Sequence, residues 1–187
     1  MKKIFNITLV LFAAILLFSC RNDDNDIPED IHEHEEIEKL VVKVSDKNNP
    51  ADEQIINYIG GVADKKILLA NGKTYVVSLD FQVKHDDHYH SANDEIAEEK
   101  DEHFITYNFA GVNVNVIRTA DDLVRTDGKK VGLKTEWSVT SAPAAAKVNI
   151  KLIHAPTSVN DNSPSATNQL GTVTGGESDV DALIDVQ

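Results

Sequence analysis

The run His85-Asp86-Asp87-His88-Tyr89-His90 places three imidazoles and two carboxylates within six residues, and His103 and His154 stand further along the chain. Imidazole nitrogen and carboxylate oxygen are the ligands that zinc and its transition-metal neighbours take, four in a closed site and three plus a water in an open one. His85, His88, His90, His103 and His154 are therefore the candidate metal ligands, with Asp86, Asp87, Glu99 and Glu102 beside them. Their spacing follows no rigid pattern such as HExxH on one helix face. A site here requires separate chain segments to converge. The competing reading is a hydrophilic loop whose histidines point in different directions.

Two weaker constellations compete for the same chemistry. His32-Glu33-His34-Glu35-Glu36 has the ligand types for zinc, copper or nickel, but it lies in a highly charged stretch and reads first as a linker with two incidental histidines. Asp122 to Lys129 resembles a hard-cation loop only loosely, because calcium loops put oxygen on alternate positions and Leu123-Val124-Arg125 interrupts the acids. A plain turn fits that segment better. Catalysis needs a base or nucleophile held beside a partner. Nothing marks a substrate pocket, a glycine-rich phosphate loop or a Ser-His-Asp arrangement, so the sequence predicts a protein that is not an enzyme.

The elements that must position these side chains are strands. Tyr75, Val77, Leu79, Phe81 and Val83 alternate with polar residues, and His85 is next in that register. Residues 93–102 form a short acidic segment with helical potential. His103, Ile105, Tyr107 and Phe109 then share one strand face, and Val148, Ile150 and Leu152 lead to His154 in the same way. Histidines thus stand where core-facing registers run out. Residues 38–44 and 54–59 read as further strands, with a turn region over 46–52 between them. Residues 66–70 and 74–84 flank Asn71-Gly72, which predicts a tight hairpin. Val112, Val114 and Val116 read as a strand returning on 103–109 after a bend at Gly111. Leu133, Thr135, Trp137 and Val139 alternate with Trp137 in the core, residues 157–176 read as a long loop, and residues 179–186 read as a strand with a charged outer face. Eight or nine short strands with one weak helix predict an all-β fold, an immunoglobulin-like antiparallel β-sandwich with a short helical insertion.

The first residues are an export signal rather than part of that fold. Lys2 and Lys3 precede an apolar run from Ile7 to Phe18 that is short for a membrane span. It ends Leu17-Phe18-Ser19-Cys20, a bacterial lipobox in which Cys20 takes lipid and becomes the mature N-terminus. Cys20 is the chain's one cysteine, so no internal disulfide is available. Residues 1–19 are the signal peptide, 20–36 an acidic tether and 37–187 the sandwich domain. Eight acidic residues and no aromatic between residues 21 and 36 predict a flexible stalk. Cleavage leaves sixteen Lys plus Arg against thirty-one Asp plus Glu, a formal charge of −15 where the whole chain carries −13. That surface repels nucleic acid and anionic headgroups and draws cations, so membrane attachment falls to the lipid alone.

The segments Asp101-Glu102-His103-Phe104, Val131-Gly132-Leu133-Lys134-Thr135-Glu136-Trp137, Leu152-Ile153-His154-Ala155-Pro156 and Gly176-Glu177-Ser178-Asp179-Val180-Asp181 resemble a family of small acidic Bacteroidota lipoproteins. Its members carry the label "type 1 periplasmic binding fold superfamily" and are encoded beside TonB-dependent outer-membrane receptors. The resemblance covers most of the mature domain. It implies an outer-membrane lipoprotein with a receptor as partner, importing something scarce such as a metal ion or chelate. It also raises His103 and His154 above the tether histidines. Asp23, Asp24 and Asp26 behind Cys20 resemble the surface-export signal of such lipoproteins, with a plain solvating spacer as the alternative. The label implies an α/β fold, whereas the strand pattern implies the sandwich. The chain departs from the family in a richer histidine run at 85–90 and a reduced aspartate-rich turn before Val131. The leading expectation is zinc or another transition metal bound at loop-end histidines in support of uptake; the alternative is an adhesion or ligand-binding module.

Overall fold

A computed structural model describes residues 36–187, which fold as an antiparallel all-β sandwich with one short helix. The expected signal peptide, Cys20 and the tether up to residue 35 lie outside the described residues. The first sheet contains β1 (Ile37–Asp46), β2 (Asn49–Ile59), β3 (Val62–Ala63), β4 (Thr74–His85) and β5 (His88–Ser91). After α1 (Asn93–Glu98) and β6 (His103–Ala110) come β7 (Val114–Arg118), β8 (Lys134–Val139) and β9 (Ala146–His154). Four short strands follow, β10 (Ser158–Asn160), β11 (Pro164–Ser165), β12 (Asn168–Gln169) and β13 (Thr172–Thr174), before β14 (Glu177–Val186) closes the fold.

One sheet runs β3-β2-β1-β4-β8-β7, with β5 folded back on β4, and the other runs β14-β9-β6. Taken without the β2–β3 addition, β1-β4-β8-β7 opposite β14-β9-β6 is the strand order of a constant-type immunoglobulin sandwich. The alternating residues explain why these strands pack this way. Tyr75, Val77, Leu79, Phe81 and Val83 are all buried on β4, and the first four join Ile105, Tyr107, Ile150, Leu152, Ala182 and Ile184 of the second sheet in one core. Trp137 is fully buried and meets Tyr107 and Phe109 edge-on, with ring centroids 5.8 and 4.9 Å away. Such aromatic pairs add about 0.5–1.5 kcal/mol each to their burial.

Several local expectations change once the two sheets are assembled. Asn71-Gly72 does turn the chain, but residues 66–70 do not pair with β4. Ile67 N–H donates to the Asp185 carbonyl at 2.9 Å and Leu69 N–H to the Gln187 carbonyl at 2.8 Å, so that arm belongs to β14, while β4 pairs with β1 and β8. The bend at Gly111 likewise moves the chain between sheets: β6 pairs with β9, and β7 with β8. Gly111 has φ +72° and its Cα faces the Ala144–Ala146 backbone, so both conformation and space require glycine there. The β1–β2 turn is tighter than the 46–52 region expected, with Asp46 paired to Asn49. The 157–176 loop carries two small ribbons, β10–β13 and β11–β12. His85 keeps the register of β4 but projects past the core and is exposed.

Strand order also decides what meets at each end. β4 and β9 end, and β6 and β14 begin, at the same end of the sandwich, so the connections 86–102, 119–133 and 155–176 gather there. Arg118 ties them together from inside: it is 1% exposed, donates to the Ile105 carbonyl at 2.7 Å and the Lys130 carbonyl at 2.9 Å, and stacks 4.4 Å from the Phe104 ring centre. Gly132 and Gly171 sit against its guanidinium, where any side chain would collide.

Candidate metal centre

His103 opens β6 and His154 closes β9, and the antiparallel register sets them directly opposite one another. Their rings stack with centroids 5.1 Å apart and planes 14° from parallel. Glu99, just past the end of α1, completes a group in which one ligand atom from each of Glu99, His103 and His154 lies within 4.8 Å of the others. Helix α1 brings Glu99 there because Ile96 is 2% exposed in the core and the Asn93 side chain bonds β4 at the Leu79 carbonyl (2.9 Å) and the Phe81 N–H (3.1 Å).

The protonation of His103 follows from its contacts. A backbone carbonyl only accepts, so the 3.1 Å contact from Nδ1 to the Glu99 carbonyl puts the ring proton on Nδ1. Burial at 5% exposure pushes the imidazole pKa below its ordinary 6.5, with the neighbouring His154 adding to the shift, against the hydrogen bond to Glu99 and the Asp179 carboxylate. The ring is therefore neutral at pH 7, with a lone pair on Nε2, the form that binds metal. His154 is half-buried, and its Nε2 lies 3.4 Å from a Glu102 carboxylate oxygen. A carboxylate behind a ligating imidazole fixes the ring's orientation and raises its basicity.

The segment carrying Glu99, Glu102 and His103 is clamped by the 119–133 connection. Arg125 donates to the His103 carbonyl at 2.9 Å and the Lys100 carbonyl at 3.2 Å. Thr126 gives its N–H and hydroxyl to the two Asp101 carboxylate oxygens, at 2.7 and 2.8 Å. These bonds hold the Asp101 carboxyl below its ordinary 3.8. On the other side, Ala155 N–H donates to the Glu102 carbonyl at 2.7 Å, and Gly176, at φ +84°, packs against the His154 carbonyl. A Cβ on Gly176 would come 2.6 Å from that oxygen.

The other predicted ligands gather elsewhere. His85, His88 and His90 sit on the β4–β5 hairpin, all exposed, with His85 paired to His88 and Val83 to His90. The register puts the three imidazoles on one hairpin face: His85 and His90 stack at 4.3 Å, and His88 stands 6.4 Å from His90. They do not join the Glu99–His103–His154 group. The connecting turn holds Asp86 at φ 52° and leaves Asp87 beside His88 at 3.3 Å. The sequence reading does not single out Arg125 or Gly176 as supports of the site. The glycine pair at 175–176, directly ahead of a strand that meets β9, is the signal available for the second.

No protein-family model matches this chain, and neither a curated protein nor a solved structure does. The donor set itself defines what the site can hold. Two imidazoles and a carboxylate in reach of one point suit zinc, copper or nickel, whereas magnesium and calcium take oxygen ligands.

Proposed function

We propose that the domain binds a transition-metal ion, zinc foremost, at Glu99, His103 and His154, and that it does so as a lipoprotein of the outer membrane assisting uptake through a TonB-dependent receptor. The observation that carries the reading is the convergence of those three ligand atoms around a buried, neutral imidazole. Two nitrogens and one oxygen leave a fourth tetrahedral position for one further ligand. The acidic surface raises the local concentration of cations, and the lipid on Cys20 keeps the domain at the membrane where a receptor works. A non-enzymatic carrier needs no more than this: a site that fills, holds and empties.

Calorimetric titration of the soluble chain from Arg21 with zinc, copper and nickel tests the binding. One tight equivalent is expected, lost in His103→Ala/His154→Ala and kept in His32→Ala/His34→Ala. Absence of binding, or binding untouched by the first double substitution, would sink the reading. The lipid anchor is tested separately, by labelling with a fatty acid in cells carrying Cys20 or Cys20→Ala.

A further inference from the structure

We propose that Asp179 is the fourth ligand of this centre and that the cleft it lines between β1, β2 and β14 is the passage by which a hydrated divalent transition-metal ion arrives and leaves. The inference rests on the metal-binding reading above and adds a residue and a direction to it.

Asp179 Oδ2 stands 3.8 Å from His103 Nε2. Nδ1 is taken up by the Glu99 carbonyl, so Nε2 is the ring nitrogen left to face an ion, and the Asp179 oxygen beside it makes a nitrogen–oxygen pair of the ligand types that transition metals take. The separation is close to what an ion imposes: two ligands bound at 2.0–2.1 Å to a tetrahedral zinc stand about 3.3 Å apart. Closing this pair takes about half an ångström, and because Asp179 stands outside the Glu99–His103–His154 group, it joins the centre by moving in as the ion binds.

The backbone places Asp179 there deliberately. Glu177 pairs with His154 and Ser178 with Ile153, but the next pair is Val180 with Leu152, so Asp179 is an extra residue in β14. Such a bulge re-aims the side chain it carries. A strand without it would send Asp179 to the outer face, where strict alternation from the sequence had put it.

Asp179 also faces outward in part, with 28% of its side chain exposed against 6% for His103. It lines a cleft of about 370 Å³ together with Glu36, Glu38, Lys39, Tyr58 and Asp181, and the Lys39 ammonium lies over the Tyr89 ring at 5.1 Å. Asp181 is already engaged by Asn149 at 2.6 Å and Lys151 at 2.7 Å, which leaves Glu36 and Glu38 as the acidic groups at the mouth. Negative groups lining a cleft focus the field and speed cation arrival, and with release unchanged the affinity rises by the same factor. The ion thus meets Asp179 before it meets His103 and leaves by the same residue.

The test uses zinc itself on the soluble chain from Arg21, loaded, then mixed in stopped flow with a fluorescent chelator. Asp179→Asn is expected to raise the release rate at least about tenfold, the low end of what losing even an outer partner of a metal site costs. Glu36→Gln/Glu38→Gln is expected to slow loading and flatten its salt dependence while leaving release unchanged. A parent-like release rate in Asp179→Asn would overturn the proposal, and so would loading by Glu36→Gln/Glu38→Gln at the parent's rate. If the parent chain takes up no zinc, the metal-binding reading itself has failed; if it binds zinc through His103 and His154 and Asp179→Asn behaves as the parent, this inference alone has.

Discussion

The hairpin at 85–90 and the pair at 103 and 154 divide the domain's histidines between two kinds of surroundings. The hairpin has more imidazoles, closer in sequence, yet they lie exposed at a turn. The pair has fewer, far apart in sequence, but cross-strand register, burial and a clamped backbone fix them beside Glu99. A ligand held in place before the ion arrives loses little freedom on binding, whereas an exposed side chain must be ordered by the ion itself, at up to about 1.5–2 kcal/mol for a long one. Ligand density in sequence is therefore a poorer guide than the rigidity of what carries the ligands.

The largest expected effect breaks that contrast outright. His103→Ala/His154→Ala should weaken zinc binding by more than about 100-fold, beyond the 10–100-fold cost of altering an outer partner. His85→Ala/His88→Ala/His90→Ala should leave the tight equivalent intact in the same titration. The reverse pattern would mean that the hairpin rearranges to form the true site.

Next in size is the clamp. Arg125→Met removes the donors to the His103 and Lys100 carbonyls and should cost about 10–100-fold in zinc affinity with both histidines still present. Asp87→Asn is the matched change on the hairpin side, where an Asp87 carboxylate oxygen lies 3.3 Å from His88 Nδ1. It should leave zinc affinity unaltered. Equal effects from the two would show that backbone support does not separate the regions.

How much of this was legible in the sequence follows the same division between local and distant. Period-two alternation marked β4, β6, β8, β9 and β14 because one face of each is buried, and it placed His103 and His154 where that face ends. Which strand lies beside which is decided by burial summed over both sheets, and local signals mislead there. Asn71-Gly72 suggested a hairpin, but Ile67 and Leu69 are 0% and 4% exposed against the core only by joining β14. The register that opposes His103 to His154 and the extra residue at Asp179 are equally non-local. Nothing in five or six consecutive residues encodes them.

Two glycines with nearly the same backbone give a third, smaller contrast, this time in stability. Gly61 and Gly176 have φ of +85° and +84°, but a Cβ on Gly61 would meet nothing within 4 Å while one on Gly176 would meet the His154 carbonyl. Gly61→Ala should cost only the left-handed backbone penalty, about 1–2 kcal/mol. Gly176→Ala adds a collision with backbone and should cost about 1–3 kcal/mol more. For a domain of this size each kcal/mol lowers the Tm by about 2–4 °C. Gly176→Ala should also loosen zinc, since the carbonyl it displaces belongs to a ligand. Identical Tm values for the two variants would contradict the close packing behind His154.

The smallest effect lies in acid. Thr126 holds the Asp101 carboxyl below its ordinary 3.8 through two hydrogen bonds. A carboxyl whose folded pKa is depressed stabilises the fold above the unfolded value and loses that contribution as pH falls through the folded value. Asp101→Asn should therefore melt slightly below the parent at pH 7, and the gap should close as the pH falls from 3.8 through the lower folded value, beneath which the parent's carboxyl is neutral too. Hydrogen exchange should locate the loss in residues 99–103 and spare 85–90. A gap that persists unchanged into acid would mean that the charge of Asp101 does not fasten the loop, leaving Arg125 as the group that separates the rigid histidines from the exposed ones.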